Sequence, residues 1–164
     1  MTPRRAVIFV AIALIMAGVF VGVAALLARM TALAVPPPPV YRVTDVMLTL
    51  DAQGLGAQTL DGTVLTVRVQ PWPPRAGAPV TATLVAIGPD GTLPVFPAAL
   101  RVTEAGQGAG PPQPMQRRES GEYFVAGALF PRPGAWVLTL EAPLRDVYGP
   151  DADYAVPVAV TVRE

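Results

Sequence analysis

From Ala6 to Ala28 the chain reads AVIFVAIALIMAGVFVGVAALLA, with no charged or strongly polar side chain. As a helix rising about 1.5 Å per residue, this run extends roughly 35 Å, enough to cross a bilayer core of about 30 Å. A membrane-spanning helix is therefore expected, and any soluble fold has to be built from the residues beyond it. Arg4 and Arg5 precede the run and Arg29 closes it. This positive bias places the N-terminus in the cytoplasm and everything beyond Arg29 outside.

The rival reading is a cleaved signal peptide, because Ala32-Leu33-Ala34 has the small-x-small form of a cleavage site. Signal peptides carry apolar regions of about 7 to 15 residues. This run is longer, and Arg29 ends it several residues before the candidate site, so residues 1–34 read as a cytoplasmic stub and a retained anchor. The absence of cysteine excludes lipoprotein anchoring. Within the run, Gly18 and Gly22 form a GxxxG pair that permits close approach of a second membrane helix, although glycine is common in such helices. Pro36 to Pro39 come next, and residues 35–40 are expected to be a stiff polyproline spacer rising about 3.1 Å per residue.

The remaining 41–164 has room for one domain. Twenty prolines and fifteen glycines in the chain suit turn-rich β structure better than helices. From Tyr41 onward the apolar period is two. Thr63 to Gln70 sets Leu65, Val67 and Val69 against Thr66, Arg68 and Gln70, and Val80 to Ile87 sets Val80, Ala82 and Leu84 against Thr81 and Thr83. Ala135 to Glu141 turns Trp136, Leu138 and Leu140 inward. The closing stretch aligns Tyr154, Val156, Val158, Val160 and Val162, with Pro157 marking an edge or a bulge. Tyr123 to Phe130 is apolar on both phases, like a central strand, and Tyr41 to Leu50 shifts phase near Asp45, as a bulge or two short strands would.

Turn signals at Asp61-Gly62, Pro71 to Gly77, Gly88 to Gly91, Ser120-Gly121 and Pro131 to Gly134 separate these runs. The expected fold is all-β: an immunoglobulin-like sandwich of about seven strands behind one N-terminal transmembrane helix. Ser120-Gly121-Glu122-Tyr123 has the form of a tyrosine corner, whose phenol bonds back to upstream backbone. Gly106 to Pro114, GQGAGPPQP, reads as a flexible exposed loop.

Three stretches carry a resemblance. PWPPRAGAP at Pro71 to Pro79, TATLVAI with PDGTLPV after it, and SGEYFVAGALFPRPGAWVLTLEA at Ser120 to Ala142 resemble the YtkA/FixH-like family of extracytoplasmic sandwich domains. The resemblance spans about Thr63 to Ala142, and its specific part is Gly121, Tyr123, Pro133, Gly134 and Trp136. It implies a sandwich fold and an association with copper handling and with membrane respiratory complexes such as haem-copper oxidases.

The residues themselves restrict that chemistry. The chain has no histidine and no cysteine, and all twelve basic residues are arginine. Imidazole and thiolate ligands, and the commonest general base, are thereby excluded. The soft donors left beyond the linker are Met47 and Met115, two thioethers where a tight copper site collects more. Asp146, Asp151 and Asp153 lack the regular spacing of an EF-hand and read as solvated turn residues. Ser120 is the sole serine, with no histidine or lysine to activate it, so no enzyme activity is expected. Zero net charge gives no sign of nucleic-acid binding.

The expected function is a membrane-anchored, non-catalytic accessory module that docks on, or helps assemble, a membrane complex of respiratory type. It would be held in the bilayer through Ala6 to Ala28, with an integral membrane protein as partner and no cofactor. Trp72, in PWPP, is either a rigid anchor for that partner or a core residue. The alternative is a copper chaperone delivering to a haem-copper oxidase, which the ligand inventory disfavours.

Overall fold

The structure is a computed structural model that describes residues 41–43, 47–149 and 151–164. Contacts divide the chain into units Met1–Pro38 and Pro39–Glu164, and every described residue belongs to the second. The expected anchor helix, its Gly18 and Gly22, and the proline linker lie outside the described residues. Among the described residues no helix is long and apolar enough to cross a membrane.

Eleven strands form two sheets among the described residues. In chain order they are β1 (Arg42–Val43), β2 (Leu48–Thr49), β3 (Leu55–Leu60), β4 (Thr63–Gln70), β5 (Val80–Ile87), β6 (Ala99–Glu104), β7 (Gln113–Pro114), β8 (Gln116–Arg117), β9 (Tyr123–Gly127), β10 (Gly134–Pro143) and β11 (Asp153–Val162). One sheet has the order β1-β11-β10-β6-β7, with β2 also paired to β11; the other runs β3-β4-β5-β9-β8. Of these strands, β1 and β2 run parallel to their neighbour and the rest are antiparallel.

Period-two patterning produces these strands, and the burial follows it. Leu65, Val67 and Val69 of β4, Val80, Ala82 and Leu84 of β5, Leu138 and Leu140 of β10, and Val156, Val158 and Val160 of β11 are all buried. Inward residues from both sheets belong to one hydrophobic cluster. Each fully buried Val or Leu side chain is worth about 1.5 to 3 kcal/mol relative to exposure, so this shared cluster is the main stabilising feature.

Several expectations are refined. Tyr41 to Leu50 resolves into two short strands, β1 and β2, rather than a bulge. They pair with Tyr154–Ala155 and with Val158–Ala159 of β11, so Pro157, which has no N–H to offer, falls where that flank is interrupted. The strand expected from Tyr123 to Phe130 ends at Gly127, and Leu129 and Phe130 enter the core from irregular backbone. Four strands were not expected: β3 forms a hairpin with β4 across Asp61-Gly62, β6 pairs with β10, and the two-residue β7 and β8 pair with β6 and β9. Both hairpin residues have positive φ, 49° and 83°, as a type I′ turn requires. A four-residue helix, α1 (Arg145–Tyr148), adds the one helical turn among the described residues.

The glycine-rich loop is not loose. Gln113–Pro114 pair with β6 as β7, Gly110 N–H donates to Thr103 Oγ1 at 3.1 Å, and Arg101 Nη1 donates to the Gly110 carbonyl at 3.1 Å. The segment Pro71 to Gly77 is likewise fastened to the other sheet. Arg163 N–H donates to the Pro74 carbonyl and Ala76 N–H to the Arg163 carbonyl, while Gly77 N–H donates to the Phe130 carbonyl.

Candidate functional site

The connection from β5 to β6, Thr92 to Ala98, is extended and carries its own alternation. Pro94, Phe96 and Ala98 are buried; Leu93, Val95 and Pro97 are exposed. Among the described residues no strand pairs with Thr92 to Phe96, and only at Ala98, whose carbonyl accepts the Met115 N–H, does the segment join a neighbour's ladder, so its backbone needs partners from elsewhere. Tyr123 supplies them: its hydroxyl accepts the Phe96 N–H at 2.9 Å and donates to the Pro94 carbonyl at 3.2 Å. This is the upstream backbone contact expected of the Ser120–Tyr123 corner, made with a segment 27 and 29 residues earlier.

Gly121 completes the support. Its φ is +89°, and a Cβ there would come within 2.8 Å of Leu93 Cδ1, so the bare backbone lets Leu93 lie against it. The result is two apolar side chains, Leu93 at 41% and Val95 at 69% exposure, on a backbone fixed by a buried phenol. Exposed apolar side chains are ordinary when scattered. Here they lie at alternate positions of one segment whose backbone the Tyr123 hydroxyl holds.

A second feature lies on the face of the first sheet that points away from the core. Leu140, Ala142, Tyr154 and Val156 take the inward positions, which turns Glu141 and Asp153 outward, yet both are buried. Arg101 pairs with Glu141, and Arg145 pairs with Asp153, whose Oδ1 also accepts the Arg145 N–H at 3.0 Å. Tyr41 sits among these charges. Its own burial first, then the Glu141 and Asp153 carboxylates, push its phenol above the ordinary value. The hydrogen bond to Asp153 raises Arg145 in turn. Asp153 is thus a buried, paired group and not the solvated turn residue expected.

At one end of the two sheets, Asp61, Thr63, Pro89, Tyr148, Asp151, Ala152 and Tyr154 line a cavity of about 410 Å³. Asp151 therefore faces Asp61 and two phenols, while Asp153 turns to Arg145. Tyr154 donates to Asp61 Oδ2 at 3.3 Å, and Tyr148 donates to Asp90 Oδ1 at 3.2 Å. Among the described residues no group of three or more His, Cys, Asp or Glu side chains is gathered to hold a metal.

Met47 is 48% exposed just before β2, whereas Met115 is buried in the core just after β7. With β11, β10 and β6 between those strands, four steps of about 4.8 Å separate them by roughly 19 Å. Two thioethers so placed do not fit a shared copper ion. Trp72 is half-buried and packs against the core. Gly54, with φ +74°, lies beside it, where a Cβ would come within 2.8 Å of the Trp72 Cβ. The pinned Thr92–Ala98 segment escapes sequence reasoning because its alternation is broken by prolines at 94 and 97; the phenol at position 123 was the available signal.

Comparisons with protein-family models, with curated proteins and with solved structures find no match for this chain.

Proposed function

We propose that the chain is a membrane-anchored, extracytoplasmic, non-catalytic accessory module that docks on an integral membrane partner. In this reading the two sheets form an immunoglobulin-like sandwich, supported by the single hydrophobic cluster to which both contribute. Ala6 to Ala28 anchor it and the prolines at 36 to 39 hold it off the bilayer, in keeping with the resemblance of Thr63 to Ala142 to the YtkA/FixH-like family. The observation that carries the reading is the pair Leu93 and Val95. Apolar side chains presented on a pre-ordered backbone lose little conformational entropy on binding, which is how interface anchors work.

The test uses the full chain in its native membrane, with a photo-crosslinking residue at position 93 and, as control, at the exposed Thr161 on the other sheet. One discrete adduct with an integral membrane protein, formed from position 93 but not from 161 and abolished by Val95→Asp, is expected. Equal labelling from both positions, or an adduct indifferent to Val95→Asp, overturns the docking reading. A reporter enzyme active only outside the cytoplasm, fused after Glu164, checks the topology; an inactive fusion overturns it.

A further inference from the structure

The outer face of the β3-β4-β5-β9-β8 sheet collects hydrogen-bond donors that, among the described residues, are not used. Because Leu65, Val67 and Val69 point into the core, Thr66, Arg68 and Gln70 project outward from β4; by the same alternation Thr83 and Val85 project from β5. The register sets Arg68 between Leu55 and Thr83, and Thr66 opposite Val85. Arg118 and Glu122, from the β8–β9 hairpin, wall the far side. The enclosed groove is about 250 Å³.

The one carboxylate that lines it is engaged. Glu122 Oε2 takes hydrogen bonds from Arg118 Nη1 and Ser120 Oγ, both at 3.3 Å. The Arg118 guanidinium also lies 4.4 Å from the Phe124 ring centroid, which holds it over the sheet. Asp51, the carboxylate whose charge interacts with Arg68, is satisfied by the N–H groups of Gln53 and Leu55 at 2.8 and 2.9 Å. Among the described residues the side chains of Thr66, Arg68, Gln70 and Thr83 make no hydrogen bond or ion pair.

A guanidinium brings five N–H donors in a planar fork, and the two threonines and the glutamine add more. Such a donor-rich groove complements a planar anion, and the fork matches a carboxylate with two parallel hydrogen bonds. We propose that this groove binds a carboxylate side chain presented by an acidic segment of a partner polypeptide. Arg68 takes the carboxylate bidentately, Thr66 and Thr83 flank it, and Arg118, held by Glu122, lines the far side. Glu122, which walls the groove, directly follows the Gly121 against which Leu93 lies, and the proposal rests on the docking reading above by naming the chemistry the partner brings.

The experiment is a titration of the full chain in detergent micelles, observed at arginine Nε resonances, with the Arg68 signal assigned by its loss in Arg68→Gln. The probes are a short acetylated and amidated peptide carrying two glutamates, its two-glutamine counterpart, and inorganic phosphate. Saturable shifts at Arg68 and Arg118 with the glutamate peptide are expected, weakened at least tenfold in Arg68→Gln but unchanged in the exposed control Arg132→Gln. An equal response to the glutamine peptide, undiminished binding in Arg68→Gln, or phosphate binding as tight as the glutamate peptide overturns the proposal. If the position-93 adduct forms while the peptide fails to bind, docking stands and the groove falls; the opposite pattern removes the docking reading alone.

Discussion

Tyr123 and Phe96 hold each other in two ways at once: the Phe96 N–H donates to the Tyr123 hydroxyl at 2.9 Å, and their rings pack at a tilt with centroids 4.4 Å apart. One residue belongs to β9 and the other to the unpaired segment that leads into the opposite sheet. A buried backbone N–H with no strand to receive it would otherwise be left without a partner. The phenol thus does for this segment what a neighbouring strand does elsewhere.

Tyr123→Phe keeps the ring contact and removes both hydrogen bonds, leaving the Phe96 N–H and Pro94 carbonyl unsatisfied. Leaving a buried polar group unpaired costs about 1 to 3 kcal/mol. Chemical denaturation of the full chain should show a loss in that range, and hydrogen exchange at Phe96 should accelerate. A loss below about 0.5 kcal/mol would mean water replaces the phenol.

Trp136 is 7% exposed, packs edge-on against Phe130 at 5.8 Å, and donates from Nε1 to the Arg132 carbonyl at 3.1 Å. Trp136→Ala should cost about 3 to 5 kcal/mol as a buried large-to-small change. Trp136→Phe, which preserves much of the packing but not the hydrogen bond, should cost clearly less. Equal losses in the two variants would show that the indole N–H, and not its volume, is what the site needs.

Arg145 and Asp153 form a pair in which the carboxylate side chain is 1% and the guanidinium 27% exposed. Removing Arg145 would leave the buried Asp153 carboxylate without its charged partner, so Arg145→Gln should lower stability, though by less than the loss of a partner from a fully buried pair. The double variant Arg145→Met/Asp153→Leu should recover most of that loss, since no buried charge is then left alone. Thermal unfolding of the three chains decides it; a double variant no better than the single would show that the pair contributes net attraction.

Acid should act through Asp51 and Asp90. Hydrogen bonds from the Leu55 and Gln53 N–H groups hold Asp51 below its ordinary value of 3.8, and the Thr92 hydroxyl and N–H do the same for Asp90. A carboxyl depressed in the folded state stabilises it fully above the unfolded value, and that contribution is lost as pH falls through the lower folded value. Stability should therefore drop below pH 3.8. In Asp51→Asn/Asp90→Asn the drop should be shallower, as read from denaturant midpoints along an acid series; an identical slope would place the sensitivity elsewhere.

The long alternating runs were legible. Strands β4, β5, β10 and β11 emerge from Leu65, Val80, Trp136 and Val156 and their neighbours, because one face is apolar over at least three consecutive inward positions. Strand β3 was not, since its inward positions are Gly56, Gln58 and Leu60, and only the last is apolar. Among the described residues the Gln58 Oε1 is even a buried acceptor without a partner. Asp153 looked like a turn residue because its partner Arg145 is reached only when the chain doubles back through α1. The donor groove was hidden for a similar reason: Arg68 and Thr83 are fifteen positions apart and meet only through the β4–β5 register.

Among the described residues, three of the four sheet edges end in strands of two residues: β1 with β2, β7, and β8. A longer edge is a template on which another chain can add a strand, and a two-residue edge leaves almost no ladder to extend. For a domain tethered to a bilayer as proposed, neighbours are confined to a plane and collide in similar orientations, the condition under which edge-to-edge zippering into fibrils would be fastest. Clipped borders would let many copies of a domain so tethered crowd one membrane without polymerising.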